Sequence, residues 1–277
     1  MTWHAPRVLL TILGCSGSLP GPHGPASGYL VEADGCRLAI ELGSGVLAAL
    51  QARHDAFSLD ALLFSHLHPD HCADFTTLAV IRRYHTHPPH DTRKHRLPVH
   101  GPSETADRFA RAYAETADEL LTTDLSDVFE FHTFADGGVT RIGPFEITSV
   151  RVDHPTETYG FRIATKSGTL AYTGDTGPCD ALRGLARDVD VLLSEATWTH
   201  SDDRPPGTHL SGVQAGQVAA EAGVGRLLLT HIAPWTDRDA VLAEARGRFP
   251  GRVDVVNQGD TYAVDRSEVR VIGGHGN

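Results

Sequence analysis

The sequence predicts an α/β protein whose strands end in polar, chemically active loops. Short apolar runs, such as residues 61–64 and 226–230, are each followed within a few positions by histidine. Runs of this length suit buried strands, and functional side chains of α/β proteins commonly lie in the loops where such strands end. Other segments, such as 103–122, repeat apolar residues at helical spacing.

The elements follow in order along the chain. Asp34-Gly35 marks the turn of a hairpin over residues 29–40, and Ser211 precedes a helix. The predicted strands lie at 8–13, 29–40 (the hairpin), 61–64, 145–152, 158–164, 169–172, 189–194 and 226–230, and the predicted helices at 75–84, 103–122, 211–222 and 237–249. No long linker divides the chain, so we expect one domain over residues 1–277, built from two similar βα halves.

The composition limits the classes of partner. The chain has 277 residues, 40% hydrophobic and 21% charged, with a formal net charge of −11. This is ample for a large core. The densest basic segments, Arg82-Arg83 and 93–96, are short, so we expect no large nucleic-acid footprint.

Cysteine use and hydropathy predict the compartment. The four cysteines are scattered and form no Cys-x-x-Cys pair. The apolar run 8–13 is too short for a signal peptide, and no run reaches membrane-spanning length. We therefore expect a reduced, cytoplasmic protein without membrane contact.

The segment 65–71 concentrates three histidines and one aspartate directly after a predicted strand. His66 and His68, two positions apart on an extended chain, point the same way and can hold one metal ion together. Asp70 and His71 lie past the turn and are placed to hold a second ion. Imidazole and carboxylate suit zinc, and also manganese or iron.

Three later strand ends supply the same residue types. His154 follows the strand 145–152, Asp175 follows 169–172, and His231 follows 226–230. Four strand ends that each deliver a metal-ligand type predict one site at the edge of a sheet-based fold.

This order of motifs resembles the metallo-β-lactamase superfamily. The resemblance implies a four-layer αββα sandwich, in which two mixed sheets are flanked by helices, with two divalent metal ions, Zn²⁺ first and Mn²⁺ or iron as alternatives. Carried over by position, it assigns His66, His68 and His154 to the first ion, Asp70, His71 and His231 to the second, and Asp175 to both. Glu41 stands where the superfamily often has aspartate, a difference expected to affect only the packing behind the ligands.

Two further residues resemble the ribonuclease Z branch. Glu195 ends a predicted strand, and His209 lies in a His-Leu-Ser segment before a helix. The resemblance implies that Glu195 orients His209 toward the scissile phosphate, whereas the alternative is that His209 merely precedes the helix capped by Ser211. The interval from His154 to Asp175 has no room for that branch's tRNA-gripping arm, which argues against tRNA processing.

Several segments resemble the actinobacterial atypical class II cyclic-nucleotide phosphodiesterases. They are residues 11–18, 25–30, 82–85, 154–157, 197–201 and 229–236. The resemblance implies hydrolysis of 3′,5′-cyclic AMP to 5′-AMP by a homodimer. In the expected reaction, two metal ions lower the pKa of a bridging water, whose hydroxide attacks phosphorus. Asp70 orients that hydroxide, His209 donates a proton, and Glu195 holds His209.

Other functions are compatible with the same sequence motifs. The same metal ligands would serve a ribonuclease Z-like RNA endonuclease, a lactamase or a thioesterase, and also a metal-bound scaffold or nucleotide sensor without turnover. His85, Trp198 and Trp235 are candidates for stacking on a base, and packing in the buried core is an equal alternative for either tryptophan. We expect Cys72 to be a packed residue and the histidine-rich loop 85–90 to be a solvated surface rather than a second metal site.

Overall fold

The strands and helices alternate along the chain as expected for an α/β protein. The computed structural model describes residues 8–22 and 24–265. The strands are β1 (Leu9–Gly14), β2 (Gly28–Ala33), β3 (Cys36–Ile40), β4 (Ala61–Leu63), β5 (Leu97–Gly101), β6 (Phe129–Thr133), β7 (Val139–Ile142), β8 (Phe145–Arg151), β9 (Tyr159–Ala164), β10 (Thr169–Tyr172), β11 (Val191–Glu195), β12 (Arg226–Thr230), β13 (Arg252–Val255) and β14 (Thr261–Ala263). The α-helices are α1 (Val46–Gln51), α2 (Pro69–Cys72), α3 (Phe75–Tyr84), α4 (Thr105–Tyr113), α5 (Ala117–Leu120), α6 (Ala181–Leu185), α7 (Gly212–Ala222) and α8 (Arg238–Arg246).

The described strands form two mixed sheets with the same plan. The first has the order β14-β1-β2-β3-β4-β5-β6 and the second the order β13-β12-β11-β10-β9-β8-β7. In each sheet, one half is antiparallel and the other half parallel. The chain thus builds two similar βα halves, and β14 returns the end of the described chain to the first sheet.

The apolar residues lie in three buried clusters that separate four layers. One cluster fills the space between the sheets, where Leu10 and Ile12 of β1 share the core with Phe161 of β9. A second lies between the first sheet and helices α1, α3 and α4, and a third between the second sheet and helices α6, α7 and α8. This is the αββα sandwich, with two mixed sheets flanked by helices, that the family resemblance implied. No helix within residues 8–22 and 24–265 has the length and apolarity needed to cross a bilayer.

The prediction of one helix over 103–122 is wrong. Helix α4 ends at Tyr113 and α5 begins after Thr116, whose hydroxyl accepts from the Glu119 N–H at 3.1 Å. The Glu119 carboxylate accepts in return from the Glu115 N–H at 3.0 Å. Thr-x-x-Glu is a helix-start signal, and here it interrupts a continuous apolar pattern.

Several short elements were not predicted. The strand β5 contains Pro98, which lacks an N–H and argues against a strand inside a sheet. Strands β6, β7, β13 and β14 are three to five residues long and mostly too short to show a clear period. Helix α6 spans a single turn or slightly more.

His100 is expected to make stability depend on pH. Its ring is buried in β5 and stacks on His132, with centroids 4.5 Å apart. Burial, with the charge of His132, lowers the pKa of His100 from 6.5 to about 4. Because the unfolded chain binds the proton more readily, this contribution to stability is complete above pH 6.5 and is lost as the pH falls toward 4.

The His100→Gln variant removes this titration. Urea unfolding of the chelated proteins is measured at pH 7 and at pH 4.5. The free energy of unfolding of each protein falls between these pH values, and we expect the fall to be smaller in the variant than in the parent by roughly 2–3 kcal/mol. Equal losses in the two proteins would show that His100 keeps an ordinary pKa in the folded state.

Candidate metal centre

The sequence-predicted ligands meet where the ends of strands from both sheets face each other. Parallel strands β10, β11 and β12 end side by side in the second sheet. Asp175 and His231 follow β10 and β12, and Glu195 is the last residue of β11. The turn after β4 in the first sheet carries His66 and the short helix α2. The site therefore lies between the two halves.

The first group of ligand types contains His66, His68, His154 and Asp175. The Nε2 atom of His66 lies 2.9 Å from Nδ1 of His68 and 3.7 Å from Oδ2 of Asp175. The Nε2 atom of His154 lies 3.4 Å from Nδ1 of His68. These donor atoms are close enough together to hold one cation.

The second group contains Asp70, His71, His231 and the same Asp175. The Nε2 atom of His231 lies 3.1 Å from Oδ2 of Asp70, 3.2 Å from Nε2 of His71 and 3.3 Å from Oδ2 of Asp175. The Nε2 atom of His71 lies 3.2 Å from Oδ1 of Asp175. Asp175 thus belongs to both groups, and its two oxygens face both sets of imidazoles.

The spacing of the donor atoms fits metal coordination. Bond lengths of about 2.0–2.1 Å in a tetrahedral site put neighbouring ligand atoms ~3.3 Å apart. The observed separations of 2.9–3.7 Å bracket that value. Within the described chain, the buried Oδ1 of Asp175 makes no hydrogen bond of good geometry although the His71 Nε2 atom lies 3.2 Å away, and a bound cation would satisfy this oxygen.

The outer nitrogens of the first group face protein oxygens. The His154 Nδ1–H donates to the Thr208 carbonyl at 2.9 Å, so Nε2 carries the lone pair toward the site. The Nδ1 atom of His66 lies 3.0 Å from the Ser65 hydroxyl. Partners of this kind fix the ring orientation and the tautomer of a ligating histidine.

The second group has a similar outer arrangement. The Nδ1 atom of His71 lies 3.3 Å from a Glu41 carboxylate oxygen, and the Ser65 N–H donates to that carboxylate. The Nδ1 atom of His231 lies 2.9 Å from the Thr197 hydroxyl. Glu41 therefore acts on the site through His71, by its charge as well as by the packing that the sequence analysis expected.

Glu195 links this outer arrangement to His209. One of its oxygens accepts from the His209 Nδ1–H at 3.0 Å and from the Thr176 N–H at 2.7 Å. The other accepts from the Thr197 hydroxyl at 2.9 Å and from the Leu210 N–H at 3.1 Å. A single buried carboxylate thus orients His209 and, through Thr197, His231.

The electrostatics favour a cation at the second group. Burial raises the pKa of the Asp175 carboxyl, but His231 and His71 together outweigh it and hold that pKa well below its usual range. Burial lowers the pKa of His71, whereas the Asp175 and Glu41 carboxylates raise it well above its ordinary value. The potential that retains a proton on His71 also attracts a metal ion, whose binding would release that proton.

The imidazoles of the first group are favoured as neutral rings. Burial is the main cause that lowers the pKa values of His66, His68 and His154. Neutral imidazole is the form that binds metal. At His209, burial lowers the pKa, but the Glu195 carboxylate more than offsets this and raises the pKa to about 9.

Close backbone approach shapes the turns that carry the ligands. Gly174 adopts φ 62° immediately before Asp175, and a Cβ there would lie 2.7 Å from the Tyr159 carbonyl oxygen. A Cβ at Gly43 would collide with the Asp70 carbonyl. These positions need glycine because a side chain would push the ligand loops apart.

Other histidines and Cys72 lie outside the two groups. His85 and His90 pack edge-on against Phe57, with ring centroids 5.4 and 5.9 Å away. Phe57 precedes β4 whereas His66 follows it, so this loop is at the opposite end of the strand from the site. Cys72 is buried, with its thiol 3.4 Å from the Leu67 carbonyl. Within residues 8–22 and 24–265, none of these joins a metal-ligand cluster.

A family model described as the beta-lactamase superfamily domain matches residues 43–232, more than half of the chain. The chain belongs to the metallo-β-lactamase superfamily. With its histidine and aspartate cluster, this membership identifies a metallo-hydrolase that binds divalent metal.

Three relatives show how far the similarity extends. An uncharacterised protein of Mycobacterium tuberculosis is 49% identical over 94% of this chain and 93% of its own length. The probable metallo-hydrolase YhfI of Bacillus subtilis is 31% identical over 90% of this chain and 97% of its own. The crystal structure of YhfI superimposes with a TM-score of 0.78 at 28% identity, covering 92% of this chain and 98% of that one. A ribonuclease Z of Streptomyces avermitilis is 27% identical over 90% of this chain and 95% of its own.

Sequence reasoning missed the residues behind the ligands. Thr197 and Thr208 contact ligand imidazoles only because distant segments of the chain meet, whereas Ser65 contacts the adjacent His66, and a threonine or serine alone carries no signal of that role. Thr197 had one available signal, since it lies two positions after Glu195, at the end of the same strand.

Chelation of the metal is expected to lower the melting temperature. A metal at a thousandfold excess over its dissociation constant contributes about 4 kcal/mol to folding, which corresponds to roughly 10 °C for a chain of this size. Scanning calorimetry of the protein before chelation, after chelation and after addition of Zn²⁺ or Mn²⁺ measures the shift and its reversal.

Two variants sharpen this measurement. Asparagine tolerates the φ of 54° found at position 231, so His231→Asn should keep the backbone conformation while it removes one imidazole from the second group. The melting temperature of this variant should therefore respond less to metal. His87→Ala, on the exposed loop, is the matched control and should respond like the parent. A melting temperature unchanged by verified metal removal would contradict a metal that ties these strands together.

Proposed function

We propose that the protein is a dinuclear metal-dependent phosphodiesterase that hydrolyses 3′,5′-cyclic nucleotides, converting cyclic AMP to 5′-AMP. The observation that carries the proposal is the Glu195–His209 pair, with its 3.0 Å hydrogen bond, directly beside both ligand groups. The Nδ1 atom of His209 lies 3.8 Å from Asp175, and its ring lies 5.6 Å from that of His154. A hydrolase needs a proton donor for a poor leaving group at this place.

The seven metal-ligand assignments are part of the proposal. His66, His68 and His154 would hold one ion, Asp70, His71 and His231 the other, and Asp175 both. Bound divalent ions, Zn²⁺ foremost, would supply a water of lowered pKa and offset the negative charge on the phosphoryl oxygens.

The protein's own residues would place the reacting groups. Asp70, whose Oδ2 lies 3.1 Å from the Nε2 atom of His231, is positioned to orient the attacking water. Water adds to phosphorus, the bond from phosphorus to the 3′ oxygen breaks, and that oxygen takes a proton. With Nδ1–H committed to Glu195, the Nε2 atom of His209 is the group available to donate it.

The second half of the fold favours a small substrate over a folded RNA. Strands β9 and β10 form a hairpin that occupies the interval between His154 and Asp175. The net charge of −11 also opposes a long phosphate backbone. Three of the six segments that resemble cyclic-nucleotide phosphodiesterases carry residues of the site, namely 154–157, 197–201 and 229–236.

Turnover of cyclic AMP tests the proposal. Protein loaded with Zn²⁺ or Mn²⁺ is expected to produce 5′-AMP, and the double variant Asp70→Ala/His71→Ala is expected to produce none. His87→Ala is the control for a histidine change on the surface and should keep the parent's rate. Absence of turnover in fully metallated protein, or activity on a short RNA without activity on cyclic AMP, would overturn the cyclic-nucleotide assignment.

His209→Ala separates the proton donor from the metal ligands. We expect turnover to fall by ~100-fold or more while the metal content stays that of the parent, because the side chain acts on the leaving group. Steady-state kinetics and elemental analysis on the same preparations measure both. Unchanged turnover of cyclic AMP with normal metal content would refute this role of His209.

A further inference from the structure

A cavity lies next to His209, among the loops that follow β11 and β12. Its volume is about 360 Å³, within the ~300–1,000 Å³ range of small-molecule sites. Trp198, Arg204, His209, Trp235 and Thr236 are among the residues that line it. The cavity thus shares His209 with the proposed catalytic group and adds two tryptophans that the chemistry at phosphorus does not use.

The loops that form this cavity are those that carry the site. Trp198 follows Glu195 after β11, and Trp235 follows His231 after the neighbouring parallel strand β12. The two loops are joined at the Thr197 carbonyl, which accepts from the Ala233 N–H at 3.2 Å and from the Thr236 hydroxyl at 3.1 Å. The pairing of β11 with β12 and the hydrogen bonds between their loops therefore fix the position of the cavity relative to the site.

Trp198 is fixed on one wall. Its ring meets His209 edge-on at 5.1 Å, and the Arg204 guanidinium lies over it, 5.1 Å from the ring centroid. The Arg204 Nε–H donates to the Thr199 carbonyl at 3.3 Å, which holds the guanidinium in place. A fixed indole and a planar cation form the kind of surface on which a flat heterocycle stacks.

Trp235 lies on the other loop with 70% of its surface exposed to solvent. Because Trp235 also lines the cavity, its exposed indole is accessible to a ligand that enters there, and an aromatic ring offers a large flat surface for contact. The position matches a substrate whose phosphate is at the metal groups and whose remaining part extends past His209.

We propose that this cavity binds the nucleobase of the substrate by stacking on Trp235 and Trp198, and so selects nucleotides over other phosphodiesters. The proposal rests on the proposed function, since a phosphate at the metal centre places the attached base. Aromatic stacking gives affinity for a flat base and depends little on which base it is. The binding energy of the base helps to position the phosphate at the metal groups.

Calorimetric binding of two phosphate monoesters tests the proposal without turnover. Zn²⁺-loaded protein is titrated with 5′-AMP and with ribose 5-phosphate, which carry the same phosphate and sugar and differ in the base. We expect 5′-AMP to bind on the order of tenfold more tightly or better. In Trp235→Ala the two dissociation constants should converge through weaker binding of 5′-AMP, with ribose 5-phosphate unchanged.

Tyr84→Ala is the matched control, because Tyr84 is 66% exposed on α3, away from the cavity lining. It should keep the parent's preference for 5′-AMP. Equal affinities of the parent for the two ligands, no detectable 5′-AMP binding, or a preference that survives in Trp235→Ala would overturn the proposal. Failure of the phosphodiesterase assignment gives a different result, namely retained preference for 5′-AMP without hydrolysis of cyclic AMP.

Discussion

The carboxylate of Asp175 is buried between two sets of imidazoles, and the architecture around it depends on that arrangement. One of its oxygens faces His71 at 3.2 Å and the other faces His231 at 3.3 Å and His66 at 3.7 Å. A buried charge of this kind is costly unless cations or hydrogen bonds compensate for it. Bound metal ions would compensate for this charge. The chain belongs to the metallo-β-lactamase superfamily, and the donor atoms around Asp175 have metal-ligand spacing.

The site exists only when the two halves of the fold pack together. His66, His68, Asp70 and His71 come from the first sheet's side, and His154, Asp175 and His231 from the second. Contacts near the ligands fix this alignment. The Tyr29 hydroxyl meets the Thr230 hydroxyl at 2.8 Å, and the Tyr159 N–H donates to the Ser65 carbonyl at 3.0 Å. The ligands are therefore brought together only when both halves of the chain have folded and packed.

The strand-end ligands were predictable because each follows a local apolar run. The segment 65–71 shows both the strand and its ligands within a few positions, and His231 follows a fully buried strand. The two mixed sheets flanked by helices also agree with the predicted class, and Ser211 caps α7 in a capping box as its position suggested.

The contacts that the sequence did not reveal join residues that are far apart along the chain and close together in the fold. The Glu195–Thr197–His231 chain joins two neighbouring strands, and only the paired register of β11 and β12 brings its members together. The break at residues 114–116 was missed for a different reason. Its helix-start signal, Thr116 with Glu119, competes with helical apolar spacing, and the local capping interaction wins over the pattern.

Metal stoichiometry combined with electron paramagnetic resonance tests the central claim most directly. Protein loaded with Mn²⁺ is predicted to bind two ions per chain and to give the spectrum of a spin-coupled pair, because one carboxylate belongs to both ligand groups. Asp175→Asn is predicted to lose the coupling and at least one ion. One ion per chain, or two ions with uncoupled spectra in the parent, would contradict a site in which Asp175 is shared by two metal ions.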